Sequence, residues 1–403
     1  MTTHGDLSHV LARRAQGGPG ELSAILALAA QGGDLIDFTG GFPDPSLFDA
    51  QLLSELAAKA VSTAPEVALQ YASNRGLAPL RESLRTLIAG TQEHTPADGE
   101  LIVTSGGVDA LTLVTKALAD PGDAVLVEAP TYLGACTVFT TNEAVPVAMR
   151  SDAEGLVPES LTEACETARK QGAEPAFAYV IPDFQNPSGL LLSAERRAAL
   201  VAAAREAGIL LVEDVAYRDL AFDGSYLPSI YQLGPDVTVQ IGTFSKTFTP
   251  GTRLGWACGP ETIISAMAEV KTTTDQCASA LGQCMLDAYI REGHFAAGLP
   301  NIRRAYAQRC AALLAALDEH LGGTSTWTQP AGGFFTWVQV PGIDTKALAP
   351  TAVEAGVAYV PGAPFFVDRA TDDHLRLSFS RTSAERMDEG IRRLAGVLER
   401  ARS

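Results

Sequence analysis

The sequence predicts an α/β protein with a large domain built on a mainly parallel sheet and a smaller α+β domain after it. Three observations support this prediction. Apolar strands alternate with helices from about residue 100 onward, which is typical of parallel sheets covered on both faces. Polar motifs follow these strands at their carboxyl ends, where such sheets bind ligands. The alternation stops near residue 299, where a long helix begins a segment of different character.

The N-terminal part precedes the alternation. LSAILALAA predicts an amphipathic helix over 22–30, and a Gly/Pro-rich loop, DLIDFTGGFPDPSLF, occupies 34–48. A helix is expected over 50–63. The turn LQYASNRG (69–76) then leads into another helix.

Five strands with polar ends make up the alternating region. A polar or glycine-rich motif follows each strand, so we expect all five motifs to meet at one edge of the sheet. The strands and motifs are ELIVT before SGG, DAVLVE before APTYLGAC, AFAYVI before PDFQNPSG, GILLVED before VAYRDL, and VTVQI before GTFSK.

The C-terminal part combines helices with short strands. A helix is expected over 299–321, strands in GGFFTWVQVP, AYVPGAPFF and LRLSFS, and a final helix over 383–401. We therefore predict an N-terminal helix and arm (1–45) packed on a small domain (299–403), with a large domain (46–298) between them.

Composition limits the possible functions. The net charge is −17, which argues against nucleic acid or an anionic membrane as partner. No apolar run approaches the ~20 residues that span a bilayer. The six cysteines form no CxxC pair, which indicates reduced thiols, and the histidines form no HExxH motif. We expect a cytoplasmic protein without a dedicated metal site.

A lysine in the segment GTFSKTFTPGTRLGW indicates chemistry. Lys246 follows a buried strand and lies among small residues, where an amine can form a Schiff base or transfer protons if burial and a nearby cation lower its pKa. Arg253 could supply that cation or bind a phosphate. Taken alone, Lys246 would more often be a surface residue in a loop, so the assignment depends on the motifs at the other strand ends.

A carboxylate and two hydrogen-bonding residues follow neighbouring strands. Asp214 ends an apolar strand, where an unpaired carboxylate is costly. A protonated ring nitrogen would be a suitable partner, although Asp214 could instead cap a helix. Tyr217 and Asn186 could hydrogen-bond an oxygen on the same ring. Ser105-Gly106-Gly107, at a strand-to-helix junction, offers N–H groups to a phosphate, although a plain tight turn is the alternative.

GTFSKTFTPGTRLGW resembles the SxSKxxxPGxRxGW signature of fold-type I aminotransferases that depend on pyridoxal 5'-phosphate (PLP). The likeness is to the class I/II subgroup with 2-aminoadipate and kynurenine aminotransferases and the effector domains of MocR-type regulators. It covers almost the whole chain, because GGFPDPSLF, SGG, PTYLGA, QNPSG, EDVAYRDL, GGFFTWV and LRLSF occur in the family's order. The resemblance implies fold type I with a mainly parallel seven-stranded sheet.

The resemblance also assigns roles in binding the cofactor. Lys246 would form the aldimine with PLP and move the proton, and Asp214 would pair with the pyridine nitrogen. Tyr217 and Asn186 would contact the ring oxygen, and Tyr132 would stack on the ring. The phosphate would be held by Thr243, Ser245, Arg253 and the amides of Gly107 and Val108.

Substrate and partner assignments follow from the same resemblance. Arg376 would grip the substrate α-carboxylate, helped by Asn186, Tyr132 and the backbone at Gly40-Gly41. Tyr71 would reach the phosphate of the neighbouring subunit, which would make a homodimer necessary for activity.

The sequence departs from the subgroup at several positions. Gly107, Val108 and Asp109 stand where relatives usually have a serine and two glutamines, whose hydroxyl and amide groups help to hold the phosphate. Leu26 replaces an arginine common in relatives that accept acidic or long side chains, and Ala216 replaces a proline. Arg75 is placed near the mouth of the cleft, where it could meet an anionic substrate or remain a solvated loop residue.

Three functions remain to be weighed. The first is transfer of an α-amino group to a 2-oxo acid. The second is a non-transaminating PLP reaction: elimination, replacement or cyclisation of an amino acid such as S-adenosylmethionine. The third is a MocR-type regulator, which we do not expect because the first family motif starts near residue 39 and the chain is acidic.

Overall fold

The structure is a computed structural model that describes residues 10–15, 34–369 and 372–402. The predicted helix over 22–30 lies outside these residues. The strands are β1 (Ile36–Asp37), β2 (Leu101–Thr104), β3 (Ala124–Ala129), β4 (Val145–Asp152), β5 (Gly155–Leu156), β6 (Pro175–Val180), β7 (Leu210–Asp214), β8 (Thr238–Thr243), β9 (Gly255–Cys258), β10 (Thr326–Trp327), β11 (Phe335–Gln339), β12 (Val357–Ala358), β13 (Val360–Pro361) and β14 (His374–Ser378).

The α-helices cover both faces of the large sheet and pack around the small one. They are α1 (Ala50–Thr63), α2 (Pro65–Ala68), α3 (Ala78–Ala89), α4 (Gly107–Leu118), α5 (Leu133–Thr141), α6 (Ser160–Lys170), α7 (Ala194–Ala207), α8 (Ile230–Leu233), α9 (Glu261–Thr274), α10 (Ala280–Arg291), α11 (His294–Leu321), α12 (Thr345–Glu354) and α13 (Ala384–Arg402).

The large sheet has the strand order β2-β9-β8-β7-β6-β3-β4-β5. The strands from β8 to β4 pair in parallel, and β9 lies antiparallel between β2 and β8. The prediction of a mainly parallel sheet is confirmed. Leu211 and Val212 are neighbours on β7, and both are fully buried because helices cover both faces of the sheet. A strand that is buried on both faces appears in the sequence as a continuous apolar run.

The predicted count of seven strands is wrong, because the described residues place eight in this sheet. The additional strand is β5, which turns back on the end of β4 through the pairs Ser151↔Leu156 and Asp152↔Gly155. Gly155 has a φ of 98°, which glycine adopts without strain. A strand of two residues is too short to show any hydrophobic alternation, so the sequence pattern gives no sign of it.

Local chemistry sets the ends of several helices. Asp49 caps α1 by accepting the N–H of Leu52 at 3.0 Å, and Ser193 caps α7 by accepting from Arg196. The long helix α11 begins at His294, earlier than the predicted residue 299, and Pro300 lies inside it.

A second, antiparallel sheet has the order β10-β11-β14-β13. In its register Trp337 on β11 is opposite Arg376 on β14, so both side chains are on one face. Strand β1 pairs with β12, so the first residues of the predicted Gly/Pro-rich loop (34–48) form a short strand that fixes this segment on the small domain. Among the described residues, no helix combines the length and apolar character that a membrane crossing requires.

Candidate active site

A cavity of about 250 Å³ opens at the carboxyl ends of the parallel strands, between the large sheet and the small one. Its position agrees with the expected ligand site of a parallel α/β sheet. The predicted residues that line it are Gly41, Gly107, Val108, Tyr132, Asn186, Asp214, Tyr217, Thr243, Ser245, Lys246, Arg253 and Arg376.

Lys246 lies just after β8 and points its amine into this cavity. Its Nζ donates a hydrogen bond of 2.7 Å to the carbonyl oxygen of Gly41. Burial lowers the pKa of Lys246 from 10.5 to about 8; the positive charges of Arg376 and Arg253 add to this, and Asp214 opposes it. The amine is therefore much easier to deprotonate than an ordinary lysine, which is what a nucleophile or proton carrier needs.

Asp214, the last residue of β7, is a buried carboxylate with hydrogen bonds but no cation in contact. It accepts from the hydroxyl of Tyr179 at 2.8 Å and from the N–H of Ala216 at 3.0 Å. Burial raises the pKa of Asp214, and both hydrogen bonds oppose the rise. No lysine or arginine of the described residues forms an ion pair with it, so its charge is available to a cationic group in the cavity.

Two tyrosines, Tyr217 and Tyr132, line the same cavity. Tyr217 meets the rings of Phe334 and Phe335 edge-on, and burial raises its pKa. Tyr132 precedes α5, and the absence of a side chain at Gly134 makes room for its ring. A Cβ atom at residue 134 would lie 2.3 Å from both Cζ and Oη of Tyr132, far inside van der Waals contact.

The N-terminus of α4 provides an anion site. Its cap, Gly106, has a φ of 101° and no capping side chain, which leaves N–H groups of the first turn unpaired. Arg253 approaches closely, because a Cβ atom at Gly106 would lie 2.7 Å from its Nη2. In the described part of the chain Arg253 pairs with no carboxylate. The hydroxyl groups of Thr243 and Ser245 lie 3.0 Å apart beside it.

Asp109, which departs from the family pattern, is turned away from this anion site. Its carboxylate accepts from the N–H of Ser105 and from Nζ of Lys271, both at 2.8 Å. Lys271 is fully buried and also binds Asp275 at 2.7 Å. The negative charge at the start of α4 is thus neutralised by a buried lysine, which keeps the helix end attractive to an anion.

Arg376 on β14 is a buried guanidinium without a carboxylate partner. It donates to Oδ1 of Asn186 at 2.8 Å and to the carbonyl oxygen of Thr39 at 2.6 Å, while its Nε has no partner. The group lies 4.2 Å from the centre of the Phe335 ring. Burial lowers the pKa of Arg376 to about 10, and the nearby tyrosines oppose the shift. A carboxylate entering the cavity would satisfy this cation.

Two residues singled out in the sequence do not line the cavity. Tyr71 is 80% exposed. The expectation that Arg75 lies at the cleft mouth is wrong, because its guanidinium donates to the carbonyl oxygen of Gly99 and to Oγ of Ser265. Sequence reasoning also missed Tyr179, whose position in the apolar strand AFAYVI gave no sign that its hydroxyl reaches Asp214.

The residues present fit PLP in both charge and shape. A buried carboxylate without a cation suits a protonated ring nitrogen, and the uncapped start of α4 with Arg253 suits a phosphate. The close approach of Arg253 to Gly106 leaves no room for a side chain there, as a phosphate cradle requires. Together with the amine of Lys246 and its lowered pKa, these features define the site of a fold-type I PLP enzyme.

Comparisons with known proteins agree with this class. The family model for aminotransferase class I and II matches residues 41–394. The chain is 34% identical to aromatic-amino-acid aminotransferase 1 of Thermococcus litoralis, over 91% of this chain and 88% of that one. It is 35% identical to the 2-aminoadipate transaminase of Thermus thermophilus, over 91% and 90%.

A solved structure shows the same architecture. Pyrococcus horikoshii kynurenine aminotransferase, in complex with PMP, superposes on this chain with a TM-score of 0.93. The two sequences are 33% identical, and the match covers 99% of each chain. The chain belongs to the class I and II aminotransferase family. It is a PLP-dependent transferase that catalyses amino-acid transamination, the first of the three functions weighed from the sequence.

Proposed function

We propose that Lys246 is the residue that binds PLP covalently and then carries the proton during amino transfer. One observation supports this above the others: its amine, with a pKa of about 8, lies in one cavity with an unpaired carboxylate and an unpaired guanidinium. Bound PLP supplies an aldehyde and an electron-withdrawing ring. The chain supplies the amine, the counter-charges and the orientation.

The other residues that line the cavity hold different parts of the cofactor. Asp214 keeps the ring nitrogen protonated, and the Tyr179 hydroxyl fixes the orientation of that carboxylate. Tyr217 and Asn186 donate to the ring oxygen, and Tyr132 covers the ring face. The phosphate is held by Thr243, Ser245, Arg253 and the amides of Gly107 and Val108.

We propose that the substrate is an amino acid with an uncharged side chain. Arg376 holds the α-carboxylate, with Asn186, Tyr132 and the backbone of Gly41 beside it. The lysines and arginines that line the cavity in the described residues are Lys246, Arg253 and Arg376, and each already has a role. The residues outside the described ranges contain no lysine or arginine. A second carboxylate would therefore meet no further lysine or arginine of its own chain in this cavity.

We also propose a homodimer in which Tyr71 contacts the phosphate of the partner subunit's site. Tyr71 and the nearby Leu69 are exposed apolar side chains, at 80% and 65%, on the segment before α3. An association that covers them would bury apolar surface. Mixing a Tyr71→Phe chain with a Lys246→Ala chain and measuring activity after subunit exchange tests whether the sites are shared.

The domain limits and the cellular location are further proposals. The pairing of β1 with β12 supports an N-terminal arm (1–45) held on the small domain (299–403), with 46–298 as the large domain. The six cysteines are all free thiols, which supports a cytoplasmic location. Limited proteolysis and cell fractionation test these two points.

Mixing the purified, PLP-loaded protein with single amino acids tests the proposed function. Leucine, phenylalanine and methionine should each remove the cofactor's absorbance band and yield one 2-oxo acid per site, seen by mass spectrometry. Aspartate and 2-aminoadipate should react at least tenfold more slowly. Release of ammonia, or turnover that needs no second 2-oxo acid, would contradict transamination. A Lys246→Ala chain is the matched control.

A further inference from the structure

A second cavity, of about 740 Å³, adjoins the candidate active site. Ile181 lines both cavities. Gln185 lines the second one, whereas its neighbour Asn186 lines the first and contacts Arg376. This volume lies within the range typical of small-molecule sites, and the roles assigned above to the active-site residues make no use of it.

Glu128, at the end of β3, faces this cavity with an incompletely paired carboxyl group. The side chain is only 3% exposed. Its Oε2 accepts from the N–H of Ile181 at 3.0 Å and from Nε2 of Gln185 at 3.4 Å, while Oε1 has no partner among the described residues. Burial raises the pKa of Glu128 to about 8, because no cation compensates for the lost water.

The other ionisable side chains that line the cavity already have partners in contact. Asp152 binds Arg196 at 2.8 Å, Arg369 binds Asp372 at 3.2 Å, and His374 binds the same Asp372 at 2.7 Å. In the described part of the lining, Glu128 alone lacks a counter-charge. A bound cation would therefore stabilise the ionised form of Glu128, which burial alone disfavours.

The remaining wall offers aromatic surface. Trp327, Trp337 and Phe366 line the cavity. Trp337 is stacked on the ring of His374, with 5.3 Å between ring centres and 11° between planes, which holds its indole in place. Aromatic faces attract organic cations and pack well against flat apolar groups.

We propose that this second cavity binds a small organic cation with an aromatic or apolar body, its ammonium group on Glu128 and its body against Trp327, Trp337 and Phe366. The site is distinct from the one that carries out amino transfer. Its occupant would lie beside the segment that positions Asn186 and, through it, Arg376.

Isothermal titration of the cofactor-loaded protein with N,N-dimethylphenethylamine tests the proposal. This tertiary amine cannot form an imine with PLP, so covalent reaction at the active site does not interfere. We expect saturable binding of one molecule per chain. 2-Phenylethanol, an uncharged compound of similar shape, should bind at least tenfold more weakly, because it cannot supply the charge-assisted hydrogen bond.

Variants locate the binding. Glu128→Gln should weaken binding of the amine at least tenfold and leave binding of 2-phenylethanol unchanged. Glu154→Gln, in the exposed β4–β5 turn, should change neither. Absence of amine binding to the natural chain, equal binding of the amine and the alcohol, or unchanged binding to Glu128→Gln would each overturn the proposal. The first two tests need no variant, so a folding defect cannot mask the result.

Discussion

The Nζ atom of Lys246 donates to the carbonyl oxygen of Gly41 across 2.7 Å, although the two residues are 205 positions apart in the chain. This contact joins the loop after β8 to the Gly/Pro-rich segment that closes the cavity. It holds the amine in place without a carboxylate in direct contact. The pKa of the amine is therefore lowered by burial, and no ion pair restores it.

The first prediction concerns the pH dependence of cofactor capture. With a pKa of about 8, half of the Lys246 amine is neutral at pH 8, whereas under ~1% of an ordinary lysine is. The neutral amine is the nucleophile. The rate at which the cofactor-free protein binds PLP should rise about tenfold per pH unit below pH 8 and level off above it. Stopped-flow absorbance measures this rate, and a rise that continues beyond pH 10 would show an unperturbed lysine.

Asp214 and Tyr179 should differ in their effects on turnover. Asp214→Asn removes the counter-charge of the ring nitrogen and should lower kcat on the order of a hundredfold or more, the cost of removing one partner of a buried charge pair. Tyr179→Phe removes only the 2.8 Å hydrogen bond to that carboxylate and should cost about tenfold. Steady-state kinetics with saturating PLP compare the two. An equal loss in both variants would argue against the proposed role of Asp214.

Arg376 should control substrate affinity more than cofactor affinity. Arg376→Lys keeps the positive charge but loses the planar fork, so KM for the amino acid should rise about tenfold to a hundredfold. The dissociation constant of PLP should stay within about threefold, because Arg376 is assigned to the substrate carboxylate. Arg392→Lys, at an exposed position on α13, is the matched control. A rise in the PLP dissociation constant without a change in KM would contradict the assignment.

Lys271 should be needed for stability and for the anion site together. Lys271→Met leaves the carboxylates of Asp109 and Asp275 without their buried cation, so the free energy of unfolding should fall by about 3–5 kcal/mol. Lys170→Met breaks an exposed pair with Glu166 and should cost less than ~1 kcal/mol. Urea denaturation of the cofactor-free proteins measures both. PLP should also bind more weakly to Lys271→Met, because uncompensated negative charge remains beside α4.

Much of the site could be predicted from sequence because its residues follow strands in a recognisable order. Parallel strands bring their carboxyl ends to one edge, which places Asp214, Lys246 and Asn186 together once the strands are identified. Contacts that depend on the exact path of a side chain could not be predicted. The guanidinium of Arg75 donates to Gly99 and Ser265, and the hydroxyl of Tyr179 donates to Asp214. Tertiary packing sets both contacts, and the hydrophobic periodicity of the sequence does not indicate them.

The fold likewise has elements that the sequence pattern predicts and others that it does not. Long apolar strands and amphipathic helices were predicted within a few residues, since their patterns repeat over several positions. The two-residue strand β5 and the early start of α11 at His294 escaped prediction, because neither has a repeating pattern. The ion cluster around Lys271 joins α4 to α9, and such pairing of distant charges is set by tertiary structure.

Borohydride reduction of the PLP-loaded protein tests the central claim most directly. It converts a carbon–nitrogen double bond between lysine and cofactor into a stable single bond, and peptide mass spectrometry then identifies the modified residue. We predict one pyridoxyl phosphate group per chain, on the peptide that contains Lys246, and none in Lys246→Ala. A label on another lysine, or no label in a protein that has bound PLP, would contradict the account.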